Sequence, residues 1–211
     1  MSVWTIVVAA GSGTRFGGAK QFEFLGGERV IDRSISTAKD ASDGVVVVVS
    51  AEGMLTEAAL EVNAVVLGGA TRSESVRAGL SAIPETASII VVHDAARPLA
   101  SKDLYDAVID AVKSGVEAAI PGVSLSDTIK KVTADGFVAQ TIERSQLVAV
   151  QTPQAFDAAA LRKAHAGTDE ATDDAGLIEA AGGRVRVVNG EPMNSKITER
   201  RDLALMEATH R

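Results

Sequence analysis

Cysteine is absent from this chain of 211 residues. The protein therefore forms no disulfide, offers no thiolate to a metal ion and has no cysteine nucleophile. Aromatic side chains are scarce as well, at 3% of the residues, whereas alanine, valine and glycine are abundant. This balance favours helices packed tightly on a β-sheet over a binding module rich in aromatic side chains.

Dense clusters of positive charge and long apolar runs are also missing. The net charge is -7, from 28 acidic and 21 basic residues, so we expect no general nucleic-acid surface and a local pocket for any anionic ligand. No basic segment begins the chain, and every aliphatic run is far shorter than the ~20 residues of a membrane helix. We expect a cytoplasmic protein that binds neither nucleic acid nor membrane, with one domain over residues 1–211.

Short β-branched runs alternate with helical patterns along the chain. Such continuous apolar runs are typical of strands buried on both faces of a mainly parallel sheet. They lie at 6–8, 45–49, 64–67, 89–92, 118–120 and 185–188. Between them, segments such as the one with Leu104, Val108 and Val112 form one apolar helix face. The sequence predicts an α/β fold, a Rossmann-like, mostly parallel sheet flanked by helices.

One stretch, residues 124–146, departs from this alternation. Two segments of alternating polarity flank Asp135 and Gly136, which predicts a β-hairpin with its turn at that pair. Such an arm could cover its own crevice, reach a second subunit, or be a plain surface hairpin, and the sequence leaves these open. A last helix is predicted from about Thr198, as its N-cap, through Met206.

The loop after the first strand carries the strongest chemical signal. Residues 9–20 are Ala-Ala-Gly-Ser-Gly-Thr-Arg-Phe-Gly-Gly-Ala-Lys. The glycines let backbone N–H groups approach an anion, while Arg15 and Lys20 supply positive charge. A dinucleotide fingerprint needs glycine where Phe16 stands, and a Walker loop needs Gly-Lys-Ser/Thr, so neither fits. We predict a phosphate-binding loop of another kind, with a tight turn as the alternative.

Two further strand ends carry polar residues, at the edge where an open parallel sheet places its crevice. Gly68 and Gly69 precede a helix that Ser73 or Ser75 could cap. After the fourth strand comes Asp94, and Mg²⁺ takes only one or two protein carboxylates when phosphates and waters complete its shell. Asp94 alone is therefore a candidate Mg²⁺ ligand, with a salt bridge inside the turn as the alternative.

The three histidines form no zinc triad. We expect His93 to be a hydrogen-bonded structural residue, and His165 and His210 to lie on surface helices. An acidic cluster near residue 170 is expected to mark a helix N-terminus rather than a second metal site. Its members are Glu170, Asp173 and Asp174.

These segments occur together in one order along the chain. They are Ala-Ala-Gly-Ser-Gly-Thr-Arg at 9–15, Lys20-Gln21, Gly68-Gly69 through Leu80, Val-His-Asp-Ala-Ala-Arg-Pro at 92–98, Asp127-Thr128, Arg144, Gln-Thr-Pro-Gln at 151–154, and Lys196. The set resembles the 2-C-methyl-D-erythritol 4-phosphate cytidylyltransferase family. The resemblance implies transfer of a cytidylyl group from CTP, with Mg²⁺, to methylerythritol 4-phosphate in non-mevalonate isoprenoid biosynthesis. It also implies a homodimer whose arms interlock and contribute to the partner's site.

The resemblance further implies roles for individual residues. The catalytic set is Arg15, Lys20, Arg144 and Lys196. The nucleotide-binding set is Ala9, Ala10, Gly11, Ser12, Gly13, Gly69, Ser75 and Ala95. The acceptor-binding set is Arg97, Thr128, Arg144, Thr152 and Lys196, of which Thr128 and Arg144 would come from the neighbouring arm. Asp94 would bind the metal.

Three departures from the family pattern stand out. Ala19 replaces the usual proline before the loop lysine, the loop from Arg15 to Lys20 is short, and Ala70 stands where an aspartate is common.

Three alternatives remain: a ribitol 5-phosphate cytidylyltransferase, a nicotinamide-dependent oxidoreductase, and a non-catalytic nucleotide-binding regulator. Phe16 and the lack of an acidic residue closing the second strand argue against the oxidoreductase.

Overall fold

A computed structural model describes residues 1–57, 61–167 and 171–209, with the side chains of residues 55–57 left out. Its strands are β1 (Val3–Ala9), β2 (Phe24–Leu25), β3 (Glu28–Arg29), β4 (Gly44–Val49), β5 (Ala64–Leu67), β6 (Ile89–Asp94), β7 (Ala118–Ser124), β8 (Ile129–Val132), β9 (Val138–Ile142), β10 (Val148–Val150), β11 (Gln154–Asp157) and β12 (Val185–Asn189). All six strands predicted from apolar runs are present.

Seven α-helices lie within the described residues. They are α1 (Val30–Ala41), α2 (Ala51–Glu57), α3 (Arg72–Ser81), α4 (Lys102–Lys113), α5 (Ala158–Ala164), α6 (Asp174–Ala180) and α7 (Arg200–Thr209). Short 3-10 helices occupy Lys20–Phe22 and Arg144–Gln146. None of the described helices is long and apolar enough to cross a membrane.

The main sheet is mixed, with more parallel than antiparallel character. Its strands run in the order β10-β7-β11-β6-β1-β4-β5, and β12 also pairs with β7. The pairs β1–β4, β1–β6, β4–β5 and β7–β12 are parallel. Strands β10 and β11 pair antiparallel to their neighbours, which the apolar runs did not predict. The predicted sheet flanked by helices is thus confirmed, with two added strands.

Side chains that alternate along the strands build one apolar core on each face of the sheet. Val7 of β1 packs with Ile31 of α1 and Val108 of α4 on one face. Ile6, the preceding residue, packs with Val76 of α3 and Leu161 of α5 on the other. Successive strand residues point to opposite faces, and burying a large aliphatic side chain contributes roughly 1.5–3 kcal/mol. Burial on both faces explains the continuous apolar runs.

A third, smaller core joins the loop after β1 to the end of the chain. Its members are Phe16, Leu25, Val30, Ile197 and Met206. The guanidinium of Arg200 lies 4.9 Å from the centroid of the Phe16 ring, within reach of a cation–π contact. The glycine-rich loop is therefore anchored to the segment that carries Ile197 and to α7.

Helix boundaries correct two predictions from the sequence. The N-cap of α3 is Thr71, whose side chain accepts from the N–H of Glu74 while Glu74 bonds back, so neither Ser73 nor Ser75 is the cap. The last helix begins at Arg200 rather than near Thr198. There the Asp202 carboxylate accepts the backbone N–H groups of Thr198 and Glu199, each at 2.8 Å. In each case an acidic side chain of the first turn accepts backbone N–H groups of residues just before the helix.

The predicted hairpin arm is confirmed. Strands β8 and β9 pair antiparallel in a separate two-stranded sheet with an irregularity between Lys131 and Val132. Gly136 has φ of 88°, the left-handed conformation expected of the glycine in this turn. The Asp135-Gly136 pair thus marks the turn correctly.

Candidate active site

Two cavities adjoin at the carboxyl ends of β1 and β6. The first, of about 360 Å³, is lined by the loop after β1, the start of α3, the end of β6 and Lys196. The second, of about 430 Å³, lies on the side of β7, β10 and α6. Arg72, Asp94 and Lys196 line both cavities. We call these three residues the dividing wall.

Most of the predicted catalytic, nucleotide-binding, acceptor-binding and metal-binding residues line one or both cavities. Of those residues, the first cavity is lined by Ala9, Ala10, Gly11, Ser12, Lys20, Gly69, Ser75, Asp94, Ala95 and Lys196. The second is lined by Asp94, Arg97, Thr152 and Lys196. Gly13, Arg15, Thr128 and Arg144 are outside both linings.

The dividing wall is built around the carboxylate of Asp94. The Lys196 ammonium lies 2.5 Å from Oδ2 of Asp94, and Nε of Arg72 lies 3.4 Å from Oδ1. Burial alone would raise the pKa of Asp94, but Arg72 and Lys196 outweigh it and hold that pKa well below its usual range. Asp94 is therefore ionised at neutral pH, between two cations.

The loop after β1 is folded tightly on itself. The carbonyl of Gly13 accepts from the N–H groups of Phe16 and Gly17, each at 2.9 Å, and of Gly18 at 3.3 Å. Gly13 has φ of 64°, and a Cβ there would lie 1.8 Å from the carbonyl oxygen of Gly18. Only glycine fits this position, so Gly13 shapes the loop without lining a cavity.

Lys20 lies at the end of this loop and lines the first cavity. Its ammonium donates to the backbone carbonyl of Ile197 at 2.5 Å. Burial, followed by repulsion from Lys196, lowers the pKa of Lys20, and the nearby Arg15 also lowers it. The Arg15 side chain is exposed on the same loop. The positive charge gathered here favours an anionic ligand.

Gln21, which was not predicted as a site residue, supports the loop through hydrogen bonds to its backbone. It is buried, and its side-chain amide donates to the carbonyls of Ala9 at 2.9 Å and Gly11 at 3.4 Å. The amide thus fixes the backbone of the glycine-rich loop. Its position directly after Lys20 was the available signal.

The loop after β5 approaches the first loop closely. A Cβ on Gly68 would lie 2.5 Å from the Cβ of Ala10, so a glycine is needed where the two loops meet. The Glu74 carboxylate accepts from the N–H groups of Ala70 at 2.6 Å and Thr71 at 3.1 Å. Ser75 is buried and donates its hydroxyl to the carbonyl of Thr71 at 2.9 Å. This side of the cavity is ordered by the capping of α3.

His93 is a structural residue, as predicted from the sequence. It is fully buried, and burial lowers its pKa to about 4, so the ring is neutral at physiological pH. Nε2 lies 3.2 Å from the carbonyl of Arg97, which accepts, and Nδ1 lies 3.2 Å from the hydroxyl of Thr152. That hydroxyl also accepts the N–H of Asp94 at 3.0 Å. Thr152 lines the second cavity, but its hydroxyl is engaged in holding the end of β6.

Arg97 and Asn194 tie the second cavity together. The Arg97 guanidinium donates to the carbonyls of Asn194 at 2.7 Å and Val150 at 3.4 Å. Burial lowers the pKa of Arg97, which nevertheless stays protonated. Asn194 is fully buried and donates to the carbonyl of Thr152 at 2.9 Å. These bonds link Asn194, just before Lys196, to Thr152 directly, and to Val150 of β10 through Arg97.

Behind the dividing wall lies a buried ion pair that the sequence did not predict. Nη1 of Arg72 lies 2.7 Å from Oδ2 of Asp174, and Nε2 of His165 lies 3.0 Å from Oδ1 of the same carboxylate. The prediction of a surface position for His165 is wrong, because its ring is packed against Asp174 between α5 and α6.

The acidic cluster before α6 behaves as a helix start. Asp173 is the N-cap of α6 and accepts the N–H of Gly176 at 3.1 Å, as predicted. Glu170, a further member of the predicted cluster, lies outside the described residues, and so does His210.

The predicted arm residues Thr128 and Arg144 lie away from both cavities of their own chain. Both are exposed, and Nη1 of Arg144 donates to the carbonyl of Ser126 within the arm. Phe137 and Val138 near the arm tip are 71% and 62% exposed. Within the described residues of one chain, Thr128 and Arg144 therefore line neither cavity, and the apolar side chains of Phe137 and Val138 stay exposed.

Asp94 is the one carboxylate residue that lines both cavities, whereas Asp173 and Glu179 line only the second. The described residues contain no group of three or more histidine or acidic side chains that could hold a metal ion by themselves. Asp94 suits Mg²⁺, because this ion prefers oxygen ligands and completes its shell with phosphates and waters. Both Asp94 oxygens contact cationic side chains, which are groups that a metal ion could replace. The donor set therefore fits Mg²⁺ bound together with a polyphosphate.

The arrangement suits the binding of two anionic groups next to each other. The first cavity combines a glycine-rich backbone with Lys20, and the second is bordered by Arg72, Arg97 and Lys196. Two phosphate groups bound in the two cavities would meet beside Asp94 and its two cations. Fixed positive charge at such a point stabilises charge that develops during transfer of a phosphoryl or nucleotidyl group.

Comparison with known proteins points to one family. A family model described as "IspD: 2-C-methyl-D-erythritol 4-phosphate cytidylyltransferase" matches residues 3–211. The "2-C-methyl-D-erythritol 4-phosphate cytidylyltransferase" of Rhodococcus jostii (strain RHA1) is 45% identical over 214 residues, which cover 98% of this chain and 94% of that protein. A crystal structure of 4-diphosphocytidyl-2C-methyl-D-erythritol synthase from Anaerococcus prevotii matches with a TM-score of 0.86 and 29% identity, over 99% of this chain and 98% of that one.

Other relatives are longer than this chain. The "Bifunctional enzyme IspD/IspF" of Clavibacter michiganensis subsp. michiganensis is 44% identical over 216 residues, which cover 96% of this chain and 53% of that protein. The chain thus spans about half the length of such bifunctional relatives.

Proposed function

The chain belongs to the 2-C-methyl-D-erythritol 4-phosphate cytidylyltransferase family, and we propose on that basis that it transfers the cytidylyl group of CTP to 2-C-methyl-D-erythritol 4-phosphate. The products are 4-diphosphocytidyl-2-C-methyl-D-erythritol and diphosphate. The observation that carries the proposal is the pair of adjoining cavities that share Arg72, Asp94 and Lys196. We further propose that residues 1–211 act as one cytidylyltransferase domain with an arm at 124–146.

CTP occupies the first cavity in this proposal. Its triphosphate lies against the glycine-rich loop, whose backbone N–H groups and Lys20 suit anionic oxygens. Arg15 closes over the same phosphates from its exposed position on the loop. The nucleoside lies toward Gly69, Ser75 and Ala95, which line the same cavity.

Methylerythritol phosphate occupies the second cavity. Its phosphate lies toward Lys196, Arg72 and Arg97, which border that cavity. A phosphate monoester is largely ionised near neutral pH, since its second pKa is about 6. No general base is therefore needed to generate the nucleophile, and no enzyme side chain forms a covalent bond to the substrate.

The reaction is a single displacement at the α-phosphorus of CTP. An oxygen of the acceptor phosphate forms a bond to that phosphorus, and the bond from it to the oxygen bridging to the β-phosphorus breaks. Diphosphate leaves with the electron pair of the broken bond. The residues of the site align two mutually repelling anions and neutralise the charge that builds on the α-phosphate. Lys20 acts from the nucleotide side and Lys196 from the dividing wall.

Mg²⁺ is proposed as the cofactor, held by Asp94. When bound, it would supply positive charge to the phosphate oxygens and help orient them. The Asp94 carboxylate is kept ionised by Arg72 and Lys196, which prepares it for a cation at neutral pH.

We propose that the working enzyme is a homodimer joined through the arms. The support is the exposed apolar surface of Phe137 and Val138, together with Thr128 and Arg144, which line neither cavity of their own chain. Placed over the partner's second cavity, Thr128 and Arg144 would complete its lining for the acceptor phosphate. The cytoplasmic location expected from the sequence stays a prediction.

Diphosphate release tests the proposed function. The purified protein is incubated with CTP, UTP, ATP or GTP, each with methylerythritol 4-phosphate or ribitol 5-phosphate, and with Mg²⁺ or EDTA. We expect release with CTP, methylerythritol 4-phosphate and Mg²⁺ together, and its loss in EDTA. Faster release with ribitol 5-phosphate would assign the acceptor differently. CTP binding without release from any pair would indicate a nucleotide-binding regulator.

A further inference from the structure

Arg72 has two carboxylate partners at unequal distances. The longer contact, 3.4 Å from Nε, is to Asp94 in the dividing wall, and the shorter, 2.7 Å from Nη1, is to Asp174. The side chain of Arg72 is 24% exposed, and that of Asp174 is 1% exposed. The shorter contact of the guanidinium is therefore with Asp174, which lines neither cavity.

Asp174 is in turn supported by His165. Nε2 of His165 lies 3.0 Å from Oδ1 of Asp174, and both side chains are 1% exposed. A buried carboxylate is costly unless its oxygens are paired, and here each oxygen has one partner from a different helix. Arg72 at the start of α3, Asp174 at the start of α6 and His165 after α5 thus form one continuous chain of contacts that ends at Asp94.

Arg72 contacts Asp94 through one nitrogen, Nε. An arginine paired with one carboxylate alone favours a bidentate contact that occupies both oxygens. Here Nη1 donates to Asp174 and Nε approaches only Oδ1 of Asp94, whose Oδ2 accepts from the Lys196 ammonium. The contact with Asp174 therefore holds Arg72 where the two cavities meet, and Lys196 supplies the cation at the second oxygen of Asp94.

We propose that Asp174 and His165 are positioning residues for the transfer reaction, which hold the Arg72 guanidinium in the dividing wall where the two phosphate groups meet. The inference rests on the proposed function and adds Arg72 to its catalytic residues. Neither Asp174 nor His165 touches substrate, and both act through Arg72. A guanidinium fixed in advance costs no reorganisation when charge develops at the α-phosphate.

Steady-state kinetics of Asp174→Asn, His165→Leu and His165→Gln test this role. Asp174→Asn keeps the shape but removes the charge that anchors Arg72, so we expect kcat to fall by about tenfold or more while the KM for CTP stays within about twofold. His165→Leu removes the N–H that supports Asp174 and should also lower kcat. His165→Gln retains an N–H donor and should recover most of that loss.

Arg162 offers a matched control for Arg72. Its side chain is 23% exposed, and it donates to the carbonyls of Leu80, Ile83 and Pro84, away from both cavities. We expect Arg72→Lys to lower kcat strongly, whereas Arg162→Lys lowers the melting temperature with kcat unchanged. Circular dichroism melts of all variants separate a loss of folded protein from a loss of turnover.

A readout without substrate separates this inference from the proposed function. In nitrogen-15 NMR spectra, the Nε–H resonance of Arg72 is identified by its disappearance in Arg72→Lys. We expect it to be protected from exchange in the wild type, to move or vanish in Asp174→Asn and His165→Leu, and to return in His165→Gln. A wild type that releases no diphosphate would overturn the proposed function. An active wild type whose Asp174→Asn variant has equal kcat, or an Arg72 resonance that this change leaves in place, would overturn the inference.

Discussion

The ammonium group of Lys196 lies 2.5 Å from Oδ2 of Asp94, across 102 positions of the sequence. The contact joins the segment before α7 to the end of β6, and both residues line both cavities. Lys196 therefore stands where the nucleotide and the acceptor would meet.

Replacing Lys196 with glutamine tests the dividing wall. The Lys196 side chain is 40% exposed but that of Asp94 is only 11% exposed, so the variant should lose some stability, and melting temperatures are measured beside the kinetics. The acceptor phosphate would lose a fixed charge, and we expect kcat/KM for methylerythritol 4-phosphate to fall by about 100-fold. Lys102→Gln is the matched control, because Lys102 is also exposed and pairs with Asp106 outside both cavities. Equal kinetics in the two variants would contradict this role of Lys196.

Replacing Lys20 with alanine should lower turnover far more than stability. The ammonium contacts one backbone carbonyl, that of Ile197, and lies in the cavity where the triphosphate is proposed to bind. We expect kcat to fall by about 100-fold or more, since the charge of Lys20 is needed most in the transition state. Stopped assays of diphosphate release, with melting temperatures measured beside them, check this. Normal turnover in the folded variant would count against the proposed nucleotide site.

Stability should depend on the titration of His93. Its pKa is 6.5 when unfolded and about 4 when folded, because burial disfavours the charged ring. Between these values the unfolded chain binds more protons, so stability rises with pH and is lost as the pH falls through this range. The expected loss is on the order of 3 kcal/mol. Urea unfolding between pH 7 and about pH 4 should show a flatter pH dependence for His93→Asn than for the wild type. Parallel curves would show that His93 does not carry the dependence.

Complementation tests whether the arms exchange residues. Arg144→Ala and Lys20→Ala variants are each expected to be nearly inactive. If Arg144 serves the partner's cavity, a mixed dimer contains one site with both residues intact. Mixing the two variants under conditions that exchange subunits should then restore activity, up to about a quarter of the wild-type level for random pairing. No recovery in a mixture shown to contain mixed dimers would place Arg144 in the site of its own chain.

Much of the fold follows from local pattern. Burial on both faces makes the runs at 45–49 and 89–92 continuously apolar, and Asp135-Gly136 marks a turn by its own chemistry. Strands β10 and β11 are short, and their pairing with β7 depends on distant contacts that no local period signals. The cap of α3 was misplaced by two or more residues because Thr71, Ser73 and Ser75 have equivalent side-chain chemistry.

The candidate site was predictable where residues follow strands. Lys20 and Gly69 follow strands and Asp94 ends one, at the same edge of the sheet, and all three line the first cavity. Asp174 and His165 were not predictable as partners of Arg72, because three separate helices bring them together. A charged residue near the start of a helix has the same local pattern whether it caps the helix or pairs with a distant arginine.

The stereochemistry of transfer tests the central claim most directly. The enzyme is given methylerythritol 4-phosphate and one diastereomer of CTP that carries sulfur in place of a non-bridging α-oxygen, and the configuration of the product is determined by phosphorus NMR. Direct attack beside the dividing wall is a single in-line displacement, which predicts inversion at the α-phosphorus. Retention of configuration would reveal a second displacement through a covalent enzyme intermediate and would contradict the account.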